Sequence, residues 1–146
     1  MINIIQNESI FESNCQAIVN PVNCIGVMGA GLAKAFKTKY PNNFIHYKRM
    51  CDKNLLRLGT CYTFKENEKL IVNFPTKNHF NDLSSYQYIS LGLDALIRHC
   101  EFYKISSIAI PALGCGLGKL RFDRVLDIIS AKLSSLNIQI DVYEPY

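Results

Sequence analysis

The stretch AIVNPVNCIGVMGAGLAKAF, residues 17–36, decides the fold. It begins with a β-branched run, 17–21, that ends at Pro21, where the backbone can no longer donate to a strand ladder. A glycine-rich loop follows from Cys24 to Gly31. Apolar residues then recur at helical spacing with lysines between them, which predicts an amphipathic helix over 31–40. The stretch therefore predicts a strand, a glycine loop and a helix in succession.

The rest of the chain repeats this alternation of strand and helix. We predict further strands at 2–5, 61–64, 70–74, 107–111 and 138–143, and further helices at 44–53, 85–100 and 125–133. The polar KENEK segment would form the turn between the third and fourth strands, Pro41 would end the first helix, and the alternating IQIDVY, 138–143, is typical of an edge strand. The sequence thus predicts one layered α/β domain, residues 1–146, with a largely parallel central sheet.

Composition limits the classes of function. The chain has 146 residues, 49% of them apolar, and a net charge of +4, which favours an anionic partner without identifying one. The six cysteines form no CxxC pair, and the three histidines lack metal-ligand spacing, so we expect reduced thiols and no metal. The N-terminus lacks signal-peptide features and no apolar run is long enough to span a membrane, so we expect a cytoplasmic protein.

Two glycine-rich loops, GVMGAGLA and GCGLG, follow β-rich runs. Glycine allows backbone N–H groups to approach a phosphate closely, and a following helix N-terminus adds a positive dipole. Two such loops could hold the two phosphates of a diphosphate from opposite sides. The alternative is that the glycines only form tight turns. Neither loop has the GK[ST] ending of a Walker motif, and GVMGAG lacks Rossmann spacing, which disfavours ATP, GTP and NAD in their usual modes.

Polar side chains follow two of the predicted strands. Asn20 and Asn23 end the second strand, where an amide can donate to a ribose hydroxyl, although capping or turn formation is the commoner role of asparagine. Lys77 lies in NFPTKNHF, 73–80, two residues before His79. A lysine amine can attack an aldehyde-like carbon or stabilise an oxyanion, although most lysines are simply solvated.

Several catalytic patterns are missing from the sequence. We find neither a GxSxG elbow nor an HExxH pair, and no Ser/His/Asp set has a local signature. The carboxylates nearest the glycine loops are Glu8, Asp82 and Asp123, which leaves few candidates for glycoside hydrolysis by two carboxylates.

Taken together, these motifs resemble those of macrodomains. The segment 17–36 resembles the asparagine strand and first phosphate loop of that family, and IAIPALGCGLGKLRF, 108–122, resembles the second phosphate loop. IVNFPTKNH, 71–79, is similar to the branch of DNA ADP-ribosyl glycohydrolases of the DarG type, which remove ADP-ribose from thymidine in DNA. The terminal ADP-ribose protein glycohydrolases are a neighbouring branch. The resemblance extends from Ile2 to about Tyr143.

The resemblance implies a three-layer α/β/α fold with a cleft for ADP-ribose and no required cofactor. It assigns catalysis to Lys77, at the leaving base, and to Asn23, at the distal ribose. It places Tyr143 beside the adenine. The other residues that it implies in substrate binding are Ser9, Ile10, Asn20, Gly26, Val27, Met28, Gly29, Gly31, Thr76, His79, Leu113, Gly114, Cys115, Gly116, Leu117 and Gly118.

The resemblance also leaves alternatives open. The implied activity is removal of ADP-ribose from single-stranded DNA by a monomer that acts away from membranes. The alternatives are an ADP-ribosylated protein, ADP-ribose 1''-phosphate or O-acetyl-ADP-ribose as substrate, or a module that binds ADP-ribose without chemistry.

The sequence departs from the family pattern in three features. Ser9 stands where macrodomains usually have an aspartate for adenine, which leaves Ser9 or the adjacent Glu8 to recognise the base. Gly118 stands where the terminal protein glycohydrolases have an aspartate, so we do not expect a stable lysyl intermediate. Phe80 and Asn81 stand where DarG-type members have an aromatic–basic pair, which predicts a weaker grip on a DNA strand.

Overall fold

The central sheet of the computed structural model, which describes residues 1–145, has six strands. The strands are β1 (Ile2–Ile5), β2 (Ala17–Val22), β3 (Tyr62–Glu66), β4 (Lys69–Pro75), β5 (Ser107–Ile110) and β6 (Gln139–Tyr143). Their order is β1-β6-β5-β2-β4-β3, and all neighbours are parallel except β3 and β4. The parallel strands therefore share one carboxyl edge, and β5, β2 and β4 lie side by side along it.

Four helices cover the two faces of this sheet. They are α1 (Gly31–Lys39), α2 (Pro41–Asp52), α3 (Tyr86–Phe102) and α4 (Phe122–Leu133). Helices α3 and α4 pack on one face, where Leu93 and Ile129 join the core with Val19 and Ile110. Helices α1 and α2 pack on the other face through two smaller clusters. The result confirms the three-layer α/β/α arrangement and the mixed, largely parallel sheet.

Strand β6 is not an edge strand, so that prediction was wrong. It lies between β1 and β5, and its residues Ile140–Tyr143 are buried. The alternation of IQIDVY reflects two covered faces, one with apolar Ile140 and Val142 and one with Asp141. The edges of the sheet are instead β1 and β3. The last strand, β6, lies inside the sheet because β1, from the other end of the sequence, pairs with its outer side.

Two other local predictions needed correction. Helix α2 begins at Pro41 rather than at residue 44, because proline suits the first helical position as well as it ends the preceding helix. The turn between β3 and β4 is tighter than KENEK suggested. Asn67 and Glu68 both have positive φ, 51° and 63°, the backbone of a two-residue hairpin turn.

Among residues 1–145, no helix is long and apolar enough to cross a membrane.

Candidate functional site

A cleft of about 820 Å³ lies at the carboxyl edge of the sheet. It is lined by the loops that follow β2, β4 and β5, together with the segment after β1 and the end of β6. Ligands of open α/β sheets collect at this edge, and the volume is typical of a small-molecule site. The sequence prediction that the two glycine loops face a common space is therefore in accord with the topology.

Asn23 organises the first glycine loop through its side chain. Its Nδ2 donates to the Val27 carbonyl at 2.8 Å, and its Oδ1 accepts from the backbone N–H groups of Ile25 and Val27 at 3.1 and 3.4 Å. The Tyr47 hydroxyl lies 2.8 Å from the Asn23 carbonyl and 2.9 Å from Oδ1. Burial raises the pKa of Tyr47, so its hydroxyl remains a neutral donor. The carboxamide of Asn23 thus shapes the loop while lining the cleft.

Helix α1 begins at the mouth of this loop. Its N-cap is Ala30, which has no side-chain oxygen to accept from the first helical N–H groups. Ala30, Gly31, Leu32 and Ala33 all line the cleft. Gly31 has a φ of +57°, and a Cβ placed there would meet no atom within 4 Å. The positive end of the α1 dipole therefore faces the cleft and favours an anion there.

The second glycine loop approaches from β5. Gly114 has a φ of +73°, which favours glycine, and its carbonyl accepts from the Leu120 N–H at 2.9 Å. Gly116 differs from Gly114 in its surroundings. It lines the cleft, and a Cβ placed on it would meet nothing within 4 Å. Helix α4 begins only at Phe122, outside the cleft lining. This loop therefore offers backbone groups rather than a helix dipole.

Lys77 lies between the two glycine loops. The Thr76 N–H donates to the Val22 carbonyl and the Cys24 N–H donates to the Asn78 carbonyl, both at 2.9 Å, so the Lys77 loop is bonded to the end of β2. Lys77 Nζ donates to the Phe80 carbonyl at 3.0 Å. The Phe80 ring is 46% exposed and lines the cleft. A cation and an aromatic ring thus share one wall of the site.

His79 supports this wall from behind rather than lining the cleft. Its ring centroid is 4.1 Å from that of Phe80, and its Nδ1 accepts from the Asn81 N–H at 3.1 Å. The His79 N–H donates to the Asp82 carboxylate at 3.0 Å. These contacts fix the turn that presents Phe80 and Asn81 to the cleft.

The opposite end of the cleft is formed by the segment after β1 and by the end of β6. Ser9 caps a 3₁₀ turn, Ile10–Glu12, by accepting from the Phe11 N–H at 3.2 Å. Tyr143 is 7% exposed, and burial raises its pKa. The lining here combines the apolar Ile10 and Phe11 with the carboxylates of Glu8 and Glu144.

Most of the residues named from the sequence meet in this cleft. Thirteen line it: Ser9, Ile10, Asn23, Val27, Gly29, Gly31, Thr76, Lys77, Gly114, Gly116, Leu117, Gly118 and Tyr143. The six that do not are Asn20, Gly26, Met28, His79, Leu113 and Cys115. Asn20, Met28 and Leu113 are buried beneath the cleft. Asn20 Nδ2 donates to Asn73 at 3.1 Å, and its Oδ1 has no hydrogen-bond partner among residues 1–145.

Several lining residues were not predicted from the sequence. They are Phe11, Pro21, Val22, Ala30, Leu32, Ala33, Ala35, Pro111, Ala112 and Glu144. Ala30 lies within the first glycine loop, and the others except Phe11 and Glu144 lie within four residues of one of the two loops, so their position in or beside those motifs was the available signal. Nothing in the sequence distinguishes Glu144.

The cysteines offer no thiolate nucleophile to this site. All six are free, and burial raises the pKa of each thiol, to about 11 for both Cys24 and Cys115 in the glycine loops. Among residues 1–145, no group of three or more His, Cys, Asp or Glu side chains could hold a metal ion.

Comparison with known proteins identifies the family. The profile of the macro domain matches residues 19–129, which is most of the chain. The chain therefore belongs to the macrodomain family. Within that family it is 34% identical, over 142 residues, to the DNA ADP-ribosyl glycohydrolase of Thermus aquaticus, which covers 94% of this chain and 39% of that protein. The chain spans about two fifths of the length of the DNA ADP-ribosyl glycohydrolases that it matches.

Solved structures agree with this placement. The macrodomain of Mycobacterium tuberculosis DarG superposes with a TM-score of 0.96 at 34% identity, over 100% of this chain and 99% of that one. Thermosipho africanus DarTG in complex with ADP-ribose gives 0.91 at 31% identity, over 98% of this chain and 42% of that one. The chain is thus similar to the macrodomains of DarG proteins throughout its length.

Proposed function

We propose that this macrodomain binds ADP-ribose in the cleft and removes it from modified DNA, as an ADP-ribosyl glycohydrolase. The observation that carries the proposal is the meeting of two glycine loops with Lys77 in a single cleft. The similarity to DarG macrodomains over the whole chain supports the same activity.

The diphosphate would lie between the two glycine loops. Backbone N–H groups of Gly29–Gly31 and the α1 dipole would hold it on one side, and the open approach at Gly116 would admit it on the other. The adenosine would extend toward Ile10 and Tyr143. The distal ribose would then lie near Asn23, with its anomeric carbon toward Lys77.

The reaction would break the bond between the anomeric carbon of the distal ribose and a nitrogen of the base. Water adds to that carbon, and the base recovers a proton, so the products are free ADP-ribose and unmodified DNA. Charge develops as an oxocarbenium-like sugar and an electron-rich base. Lys77, fixed against the Phe80 carbonyl, would stabilise the leaving base or assist opening of the sugar.

The wall beside Lys77 favours a nucleobase as leaving group. Phe80 presents an exposed ring backed by His79, and a base can stack on such a ring with a gain of about 1–3 kcal/mol. A modified base within a duplex would have to leave the stack before it could lie on this ring, so single-stranded DNA is the expected form. We also propose that the protein acts as a monomer, because residues of a single chain line the cleft, and that it acts in the cytoplasm without a metal.

The test is release of ADP-ribose from a thymidine-ADP-ribosylated single-stranded oligonucleotide by wild type and Lys77→Ala. We expect the variant to be slower by about 10²–10³-fold, with little change in the Kd for ADP-ribose. Lys65→Ala is the matched control, since Lys65 is an exposed lysine near the hairpin turn at the opposite edge of the sheet.

Equal rates for Lys77→Ala and wild type would reject the role of Lys77. If wild type releases nothing from DNA, a panel of ADP-ribosylated protein, ADP-ribose 1''-phosphate and O-acetyl-ADP-ribose identifies the substrate. Calorimetric binding of ADP-ribose without turnover on any of them would identify a binding module instead.

A further inference from the structure

Ser84 lies outside the cleft lining, in the segment between the Lys77 loop and α3, and it bonds to two walls of the site. Its Oγ donates to the Thr76 carbonyl at 2.5 Å. Its backbone N–H donates to the Gly118 carbonyl at 3.2 Å. Thr76 immediately precedes Lys77, and Gly118 closes the second glycine loop. One residue therefore connects the lysine loop to the second glycine loop.

Ser84 is also tightly packed against the second glycine loop. A Cβ placed on Gly114 would lie 3.1 Å from Ser84 Oγ, and one placed on Gly118 would lie 3.0 Å from Ser84 Cβ. Both distances are shorter than a side chain tolerates without a shift of its neighbour. A Cβ would lie closer still to Leu120 Cδ1 at Gly114, 2.8 Å, and to the Gly114 carbonyl oxygen at Gly118, 2.6 Å, so these two glycines accommodate Ser84 together with the fold of the loop itself, whereas Gly116 faces the open cleft.

The Lys77 loop is held from both sides as a consequence. On one side, Thr76 and Asn78 bond to backbone groups of Val22 and Cys24, at the end of β2 and the start of the first glycine loop. On the other side, Ser84 bonds the Thr76 carbonyl to the second loop. The lysine is thereby placed at a set distance from both diphosphate-binding loops.

We propose that Ser84 is a positioning residue, which fixes Lys77 relative to the second glycine loop. This inference rests on the proposed function of the cleft. Serine fits the position because its hydroxyl reaches the Thr76 carbonyl while its short side chain packs against Gly114 and Gly118. Misplacement of a reacting group by about 1 Å can cost on the order of 10²-fold in rate. Because several hydrogen bonds hold the Lys77 loop, the loss of the Ser84 hydroxyl alone should reduce the rate by a smaller factor.

The first experiment is Ser84→Ala with the modified oligonucleotide. We expect the single-turnover rate to fall by about tenfold, with the Kd for ADP-ribose within about twofold of wild type, because the Ser84 N–H still bonds Gly118. Ser85→Ala is the matched control. Ser85 caps α3 by accepting from the Tyr88 N–H at 3.2 Å, so its loss should lower the Tm by roughly 4 °C and leave the rate unchanged.

A double-mutant cycle separates positioning from general destabilisation. If Ser84 acts through Lys77, Ser84→Ala should have no further effect on the residual rate of Lys77→Ala. The same fold loss in both backgrounds would overturn the proposal, and so would an unchanged rate in Ser84→Ala alone.

A readout without substrate keeps this test apart from that of the proposed function. Amide hydrogen exchange of residues 77–81 should accelerate in Ser84→Ala and not in Ser85→Ala. Inactivity of wild type on every ADP-ribose substrate would refute the proposed function. Unchanged exchange in Ser84→Ala would refute the tether itself.

Discussion

At the scale of single residues, Asn23 has two roles to separate. Its carboxamide is bonded within the first glycine loop, while the resemblance to macrodomains assigns it to the distal ribose. We expect Asn23→Ala to lower the free energy of unfolding by about 1–3 kcal/mol, because the backbone groups of Ile25 and Val27 lose their side-chain partner and the buried Tyr47 hydroxyl keeps only the Asn23 carbonyl. The Kd for ADP-ribose should rise with it, since the loop loses its shape.

Denaturant unfolding and calorimetry on the same variant check this prediction. Tyr47→Phe is the control, because it removes one hydroxyl from the network and leaves the Asn23 amide in place. It should retain most of the affinity for ADP-ribose. If Asn23→Ala keeps wild-type stability and affinity and loses only turnover, the amide acts on the sugar and does not shape the loop.

At the scale of elements, the glycines of the second loop differ in the space that surrounds them. A Cβ on Gly116 meets nothing within 4 Å, whereas a Cβ on Gly118 would lie 2.6 Å from the Gly114 carbonyl oxygen. We expect Gly116→Ala to preserve the Tm and weaken ADP-ribose binding roughly tenfold, about 1.4 kcal/mol, because its methyl group occupies the cleft. Gly118→Ala should instead lose about 1–3 kcal/mol of stability through overpacking.

Thermal unfolding with and without ADP-ribose distinguishes the two variants. Without ligand, Gly116→Ala and wild type should have the same Tm, whereas Gly118→Ala should melt at a lower temperature. ADP-ribose should then raise the Tm of Gly116→Ala less than that of wild type. Equal ligand-induced shifts would mean that nothing approaches the backbone at Gly116.

Sequence patterns located the individual strands and helices but did not predict which of them are neighbours in the folded protein. Hydrophobic spacing located all six strands and four helices to within a few residues. The same spacing misplaced β6 at an edge, because the pairing that buries it comes from β1, at the other end of the chain. Likewise, Lys77 and the glycines stood out as motifs, while Phe11 and Glu144 did not, since a residue that lines a cleft through local backbone position leaves no pattern.

At the scale of the whole molecule, the site occupies one edge of the sheet, and stability depends on contacts elsewhere. His99 on α3 joins that helix to the edge strand β3, with Nδ1 2.8 Å from Thr63 Oγ1. Burial, and to a lesser degree the neighbouring Arg98, lowers the pKa of His99 below its ordinary value of 6.5. The folded protein therefore favours the neutral imidazole.

This shift predicts a stability that falls with acidification. Below pH 6.5 the unfolded chain binds a proton at His99 more readily than the folded chain does, so the contribution of this group is complete above that pH and is lost as the pH falls through the lower folded pKa. We expect the Tm of wild type to drop more than that of His99→Gln between neutral pH and about pH 5.5. Release of ADP-ribose at neutral pH should be the same for both, because His99 is not among the cleft residues. Parallel losses of Tm in the two proteins would place the acid sensitivity in other groups.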